Sequence, residues 1–187
     1  MFYHGNGISK SSNVKNRTEF KGVLFMEIER KFTITGLPDD LEQHTCLIIE
    51  QAYLNTDPVL RIRRQNDDYY LTYKGKGLLA REEYNLPLNK EAYEHLRTKA
   101  DGNIISKKRY LFPISSPRFR DGYLPPKEMP ELTIELDVFE PPFAPLVIAE
   151  VEFPDEEMAN AFLLPDWFLK DVTYDKRYHN SFLSRSS

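Results

Sequence analysis

The stretch Met26-Glu27-Ile28-Glu29-Arg30-Lys31-Phe32 decides the fold that this sequence predicts. Side chains alternate between the two faces of an extended strand, so Glu27, Glu29 and Lys31 share one face. The alternate positions, which include Ile28, lie on the other face. Two neighbouring carboxylates repel each other unless a cation lies between them, and carboxylate oxygens are ligands that divalent metal ions prefer. The stretch therefore indicates a strand that carries a candidate metal site.

Seven later segments show the same alternation, which is typical of strands that have one apolar face. They are residues 48–54, 60–63, 69–76, 81–88, 107–112, 132–139 and 146–153. Helical spacing appears at 89–100 and 155–163, and Gly102 is placed to end the first of these helices. The tail predicts a last short helix. About eight short strands with hairpin-length connections favour an α+β fold, an eight-stranded antiparallel β-barrel with helices on the outside.

The composition limits what kind of protein this is. A chain of 187 residues suits one domain, and a net charge of −4 argues against binding to duplex nucleic acid or to an anionic membrane. No run approaches the ~20 apolar residues that a membrane span needs. Cys46 is the only cysteine, which fits a reducing cytoplasm, and we interpret His44, His95 and His179 as surface residues. The composition leaves open whether the protein is a homodimer.

The domain boundary is predicted at Met26. Residues 1–25 hold scattered basic side chains among Ser, Asn and Gly, without the apolar block of a signal peptide, so we expect a flexible extension. The alternative is an accessory strand over 19–25. Residues 26–187 are then a single domain.

The charges are distributed in an unusual way along the strands. Nearly every strand presents a pair of like charges at positions i and i+2, and such pairs destabilise a sheet unless something compensates them. The acidic pairs are at 27/29, 135/137 and 150/152, and the basic pairs at 61/63, 74/76 and 107/109. A polyphosphate with a divalent cation would compensate both signs. If these faces point inward, the barrel encloses a charged tunnel.

The charged motifs, in this order, resemble the CYTH superfamily, the triphosphate tunnel metalloenzymes. The matching motifs are Glu-x-Glu-x-Lys at 27–31, Arg-x-Arg at 61–63, Lys-Gly-Lys-Gly at 74–77, Arg-Glu-Glu-Tyr at 81–84, Lys-x-Arg at 107–109, Glu-Leu-Asp at 135–137 and Glu-Val-Glu-Phe at 150–153. The resemblance covers residues 26–183. It departs from the family at Asn85, where many members have a further Glu, and in the long loop 113–130.

The resemblance implies roles for individual residues. The expected triphosphate-binding residues are Arg61, Arg63, Lys74, Lys76, Arg81, Lys107 and Arg109. The expected ligands of Mg²⁺ or Mn²⁺ are Glu27, Glu29, Asp137, Glu150 and Glu152, with Glu83 and Glu135 as supporting acids. A tyrosine pairs with the lysine of the first motif in family members, so Lys31 and Tyr53 are the expected catalytic residues. Lys31 would orient or deprotonate the attacking water if burial lowers its pKa.

The expected reaction is hydrolysis of a small-molecule triphosphate, foremost inorganic tripolyphosphate, to pyrophosphate and phosphate. Two alternatives have nearly the same charged residues: a class IV-type adenylate cyclase and a phosphatase for an organic triphosphate such as thiamine triphosphate or a nucleotide. A third alternative is a non-catalytic module that binds polyphosphate or a nucleotide. The crowded carboxylates argue against this module, because a pure anion binder gains nothing from them.

Overall fold

The structure is a computed structural model that describes residues 25–186, and the predictions for residues 1–24 lie outside this range. Within it the strands are β1 (Phe25–Ile34), β2 (Thr45–Thr56), β3 (Val59–Gln65), β4 (Asp68–Lys74), β5 (Ala80–Leu88), β6 (Asp101–Ile114), β7 (Leu132–Phe139), β8 (Val147–Glu152) and β9 (Phe168–Asp171). The helices are α1 (Lys90–Arg97), α2 (Glu156–Ala161) and α3 (Asn180–Leu183), with 3-10 turns at Leu41–Gln43 and Lys176–Tyr178.

The strands close into a barrel. Their order is β5-β4-β3-β2-β6-β7-β8-β1, every pairing is antiparallel, and β1 also pairs with β5 to complete the ring. The prediction of an eight-stranded antiparallel barrel is confirmed. The sequence did not predict β9, which pairs with the last residues of β1. Since β1 pairs with both β5 and β8, it brings the acidic motif next to two other strands at once.

Two helices pack against apolar side chains on the outward faces of the barrel strands. Tyr93 of α1 is fully buried against Ile62 and Ala52, which lie on β3 and β2. Met158 of α2 packs in the larger cluster around Phe32 of β1. These two helices lie on the outside, as predicted. In the described part of the chain, no helix has the length and apolar character that crossing a membrane requires.

The third helix lies at one end of the barrel instead. Leu183 of α3 packs with Tyr53, Ile105 and Ile148. Ile105 alternates with Lys107, and Ile148 with Glu150, so these apolar residues fill the barrel interior at the end where α3 covers it. The interior thus has an apolar end and a charged remainder.

Gly102 has a different role from the one that the sequence suggested. We expected it to end the helix that precedes it, but α1 ends at Arg97 and Gly102 lies in β6 with φ of 73°. A Cβ at this position would overlap the carbonyl oxygen of Ser184. Glycine is therefore required because the C-terminal segment crosses β6 in close contact.

Candidate active site

The inward faces of the barrel strands line a cavity of about 170 Å³. Carboxylates and cationic side chains face it in equal number. The acidic residues are Glu27, Glu29, Glu83, Glu135, Glu150 and Glu152, and the basic residues are Lys31, Arg61, Arg63, Lys74, Arg81 and Arg109. The strand alternation read from the sequence therefore places the charged faces inward. Tyr53 also lines the cavity.

Three of the residues predicted for the site lie elsewhere. Lys107 and Asp137 form an ion pair whose side chains are fully buried, so they share the inward strand faces of Arg109 and Glu135 but do not line the cavity. Lys76 is exposed and lines an adjoining cavity of about 380 Å³ together with Lys176 and Arg185. Its predicted place on the tunnel face is wrong, because β4 ends at Lys74 and the strand alternation does not continue beyond that residue.

Most of the basic residues are neutralised by carboxylates of neighbouring strands. The sequence predicted that a ligand must compensate the like-charge pairs, and for these residues that prediction is wrong, because opposite charges face each other across the strand register. Such cross-strand pairs are Glu27 with Arg81, Lys31 with Glu150, and Arg109 with Asp137. We call the cations that are held in this way the paired set. Its members are Lys31, Lys74, Arg81, Lys107 and Arg109.

Arg109 connects three carboxylates. Its Nε and Nη2 donate to the two carboxylate oxygens of Asp137, each at 2.7 Å, and Nη2 also donates to Glu150 at 2.6 Å. Nη1 donates to Glu135. Burial alone would lower the pKa of Arg109, but the attraction of Asp137 and Glu135 raises it well above its usual value. This guanidinium is permanently charged, and four of its five N–H groups already have carboxylate acceptors.

Lys31 contacts carboxylates on two strands. Its Nζ lies 3.0 Å from Glu29 and donates a hydrogen bond to Glu150. Burial opposes the charge, yet the attraction of Glu150 and Glu29 outweighs it and raises the pKa of Lys31. The shift is opposite to the lowered pKa that a general base would need. Among the described residues Lys31 makes no hydrogen bond with Tyr53, so the structure does not contain the pairing expected from the sequence.

Lys74 and Arg81 hold the remaining acids of this region. Lys74 Nζ lies 2.6 Å from Glu27 Oε2 and 2.6 Å from Glu83. Arg81 donates to Glu27 at 2.9 Å and to Glu29 at 2.8 Å. Arg81 therefore bridges the two carboxylates of the first motif and reduces their mutual repulsion.

Arg61 and Arg63 are the exception, and we call them the arginine pair. Both are buried, with 5% and 8% of their surface exposed. Among the described residues no carboxylate oxygen lies within 4.0 Å of either guanidinium, and neither Nε has a hydrogen-bond partner. Their contacts are neutral: Gln51 Oε1 accepts from both, and Tyr70 accepts from Arg63 at 3.4 Å. Two buried positive charges therefore face the cavity without a carboxylate in contact, although the effect of burial on the pKa of Arg61 is outweighed by the longer-range attraction of Tyr53, Glu83 and Glu27, which raises it. Buried cations without a contacting acid favour an anionic ligand.

Three carboxylates at the other side of the cavity offer a metal site. Oxygens of Glu27, Glu29 and Glu152 lie within 4.8 Å of one another, and Glu29 is directly opposite Glu152 in the strand register. Desolvation and the nearby charges of Glu135, Glu27 and Glu29 raise the pKa of Glu152 to about 7. Among residues 25–186 no cationic side chain pairs with Glu152. A set of carboxylate oxygens, one of them without a cationic partner, fits a hard divalent cation.

The sequence did not reveal the contribution of the C-terminal segment to the cavity. His179, Asn180 and Ser181 line it, and His179 is buried, so its interpretation as a surface residue is wrong. His179 Nε2 lies 3.0 Å from the carbonyl oxygen of Thr173. Desolvation and the charge of Lys31 lower the pKa of His179, which favours the neutral ring. No local pattern signals this role, because it depends on how the tail crosses the end of the barrel.

Comparisons with known proteins agree with this geometry. The family model described as the CYTH domain matches residues 26–156. The chain is 39% identical over 163 residues to an inorganic triphosphatase of Nitrosomonas europaea, and the match covers 86% of this chain and 97% of that protein. It is 35% identical over 167 residues to an inorganic triphosphatase of Acetivibrio thermocellus, with 86% and 94% covered. The crystal structure of the inorganic triphosphatase NE1496 matches with a TM-score of 0.61 and 33% identity, covering 89% of this chain and 99% of that one.

Proposed function

This chain belongs to the CYTH domain family, and on that premise we propose that it is a metal-dependent inorganic triphosphatase. The reaction is hydrolysis of tripolyphosphate. Water attacks the terminal phosphorus, the bond from that phosphorus to the bridging oxygen breaks, and phosphate and pyrophosphate are released. Phosphoryl transfer requires mainly in-line positioning and stabilisation of negative charge, which a rigid charged barrel can supply.

The arginine pair is the observation that carries this proposal. A guanidinium binds phosphate oxygens through two parallel hydrogen bonds, and it keeps its charge in a buried site. Arg61 and Arg63 lie on one face of β3 with unused donors, so a chain of phosphoryl groups can bind to both at once. The volume of about 170 Å³ is below the ~300–1,000 Å³ of sites for drug-sized ligands, which favours a short inorganic chain.

The divalent cation completes the charge balance. Glu27, Glu29 and Glu152 would hold it, and we propose Mg²⁺ or Mn²⁺ because all the donors are carboxylate oxygens. When bound, the ion supplies charge neutralisation of the phosphate oxygens and a lower pKa for water. Asp137 and Glu150, which the sequence also suggested as ligands, lie outside this group of three carboxylates and accept hydrogen bonds from cations of the paired set. We assign them to the support of the barrel wall.

Lys31 acts in this proposal as a cation. Its raised pKa keeps the ammonium protonated. From β1, this ammonium holds Glu29 of the same strand and Glu150 of β8 in place. Arg81 does the same for Glu27 and Glu29 from β5. Cations of the protein thereby fix two of the three candidate metal ligands. Glu152, the third ligand, has no such cationic partner among the described residues.

Phosphate release tests the proposal. The protein is incubated with tripolyphosphate, ATP or thiamine triphosphate, each with Mg²⁺, with Mn²⁺ or with EDTA. We expect rapid release from tripolyphosphate with metal and none in EDTA. Cyclic AMP formed from ATP would instead establish a cyclase, and tight binding of tripolyphosphate without release under any condition would establish a binding module. Turnover in metal-free buffer would contradict the role of the three carboxylates.

We also propose that the protein works in the cytoplasm. Cys46 is the one cysteine of the sequence and its thiol is free, which is typical of proteins from a reducing compartment. Fractionation of cells that express the full chain would test this location.

A further inference from the structure

Gln51 lies directly behind the arginine pair. It is fully buried on β2 and is opposite Arg63 in the strand register. Its Oε1 accepts a hydrogen bond from Arg63 Nη2 at 3.1 Å and a longer one from Arg61 Nη1 at 3.5 Å. Its Nε2 is buried and has no partner in the described part of the chain. Guanidinium groups only donate, so the amide oxygen must face the arginines and the amide nitrogen must face away.

The neutrality of this acceptor distinguishes it from its counterparts in the barrel. Arg109 is oriented by the carboxylate of Asp137, which also neutralises its charge. Gln51 orients two guanidiniums in a comparable way but adds no negative charge. A glutamate has the same shape and would leave no orphaned donor, whereas the amide leaves a buried Nε2 unsatisfied and keeps both arginines free of a contacting carboxylate.

We propose that Gln51 is a positioning residue that aims Arg61 and Arg63 into the cavity and reserves their charge for the phosphate chain. It contacts no substrate in this role, since its side chain is fully buried and does not line the cavity. The inference rests on the proposed function, because tripolyphosphate is the anion that the two arginines would bind. Replacing the amide with a carboxylate converts the arginine pair into a further ion-paired cluster, which stabilises the fold and weakens binding of the substrate.

The experiment compares Gln51→Glu and Gln51→Leu with wild type. Calorimetry in EDTA gives the Kd for inorganic tripolyphosphate without turnover, and thermal unfolding without ligand gives the stability. Gln51→Glu should raise Kd by about tenfold to a hundredfold, because the new carboxylate competes for both guanidiniums, while its Tm stays equal to or rises above that of wild type. Gln51→Leu should lower the Tm and raise Kd by about threefold to tenfold, since it removes a neutral hydrogen-bond acceptor.

Gln43→Glu is the matched control, because it makes the same change at an exposed position. Its Kd should remain that of wild type. In Gln51→Glu the salt dependence of Kd should also become shallower, because fewer uncompensated charges meet the anion. A wild-type Kd for Gln51→Glu would overturn the inference. Loss of cooperative unfolding in Gln51→Glu would overturn it too, since a carboxylate that pairs with two free arginines cannot destabilise them.

These readouts separate the inference from the proposed function. If wild type neither binds nor hydrolyses tripolyphosphate, the proposed function fails. The Tm comparison, made without any ligand, still decides whether the arginines are uncompensated. If wild type binds and hydrolyses tripolyphosphate but Gln51→Glu matches it in both Kd and Tm, the proposed function stands and the role of Gln51 fails.

Discussion

Two groups of buried cations in the same barrel are treated in opposite ways. Arg109, in the paired set, donates to three carboxylates, whereas Arg61 and Arg63 have only neutral partners among the described residues. Burying a charge is costly unless it is paired, so the first arrangement is explained by the protein alone. The second is not. The difference teaches that a ligand site is marked by the charges that the fold leaves without a partner, more than by the number of charges present.

Asp137 offers the largest test of the paired set. Asp137→Asn leaves Lys107 and Arg109 buried without their shared carboxylate, and we expect the free energy of unfolding to fall by about 3–5 kcal/mol. Chemical denaturation measures this change. Asp166→Asn is the control, because Asp166 pairs with Arg118 at the surface and its loss should cost about 1 kcal/mol or less. Equal stability of Asp137→Asn and wild type would mean that this ion pair does not support the wall.

Substitutions in the arginine pair should lower activity without lowering stability, the reverse of what we expect for Asp137. Arg61→Ala or Arg63→Ala should lower turnover of tripolyphosphate by roughly 10²–10³, the effect of losing one preorganised donor, while stability stays the same or rises. Lysine should rescue only in part, since it lacks the planar fork. The measurement is the rate of phosphate release beside chemical denaturation. Arg64→Ala, on the opposite face of β3, is the control, and equal losses at 63 and 64 would refute the assignment of faces.

The three candidate metal ligands, Glu27, Glu29 and Glu152, allow the same comparison between paired and unpaired charges to be made with carboxylates. Glu29 is held by Lys31 and Arg81, so Glu29→Gln should lower the free energy of unfolding by about 1–3 kcal/mol because two buried cations lose the negative charge of their shared acceptor. Glu152→Gln should leave stability unchanged or increase it, because the carboxylate that it removes is repelled by its neighbours. Both variants should need more metal for half-maximal activity. Equal destabilisation by the two changes would show that Glu152 has a cationic partner after all.

Lys76 should give the smallest effect. It is exposed and lies outside the cavity that contains the arginine pair, so Lys76→Ala should change the free energy of unfolding by no more than about 0.5 kcal/mol and kcat/KM by about twofold or less. Denaturation and initial rates measure the two quantities. A loss in kcat/KM as large as that of Arg63→Ala would place Lys76 on the substrate and extend the site into the adjoining cavity.

Much of the fold was predictable because strand alternation is local. Glu27, Glu29 and Lys31 share a face whatever lies beside them, and their charge excludes them from the apolar side. The same argument placed Arg61 and Arg63 together and Arg64 opposite. It failed at Lys76, where the strand had already ended, and it gave no sign of β9, whose four residues are bounded by no clear pattern.

The sequence by itself therefore determined the eight strands and most of the charged inner face. Only the tertiary structure decided which charges cancel. Pairing depends on the register between strands far apart in the chain, as for Lys31 with Glu150 and Arg109 with Asp137. It also depends on distant segments such as the tail that brings His179 to the cavity. A periodic pattern states which face a side chain takes, whereas a Coulomb interaction depends on the distance to its partner, which only the closed barrel defines.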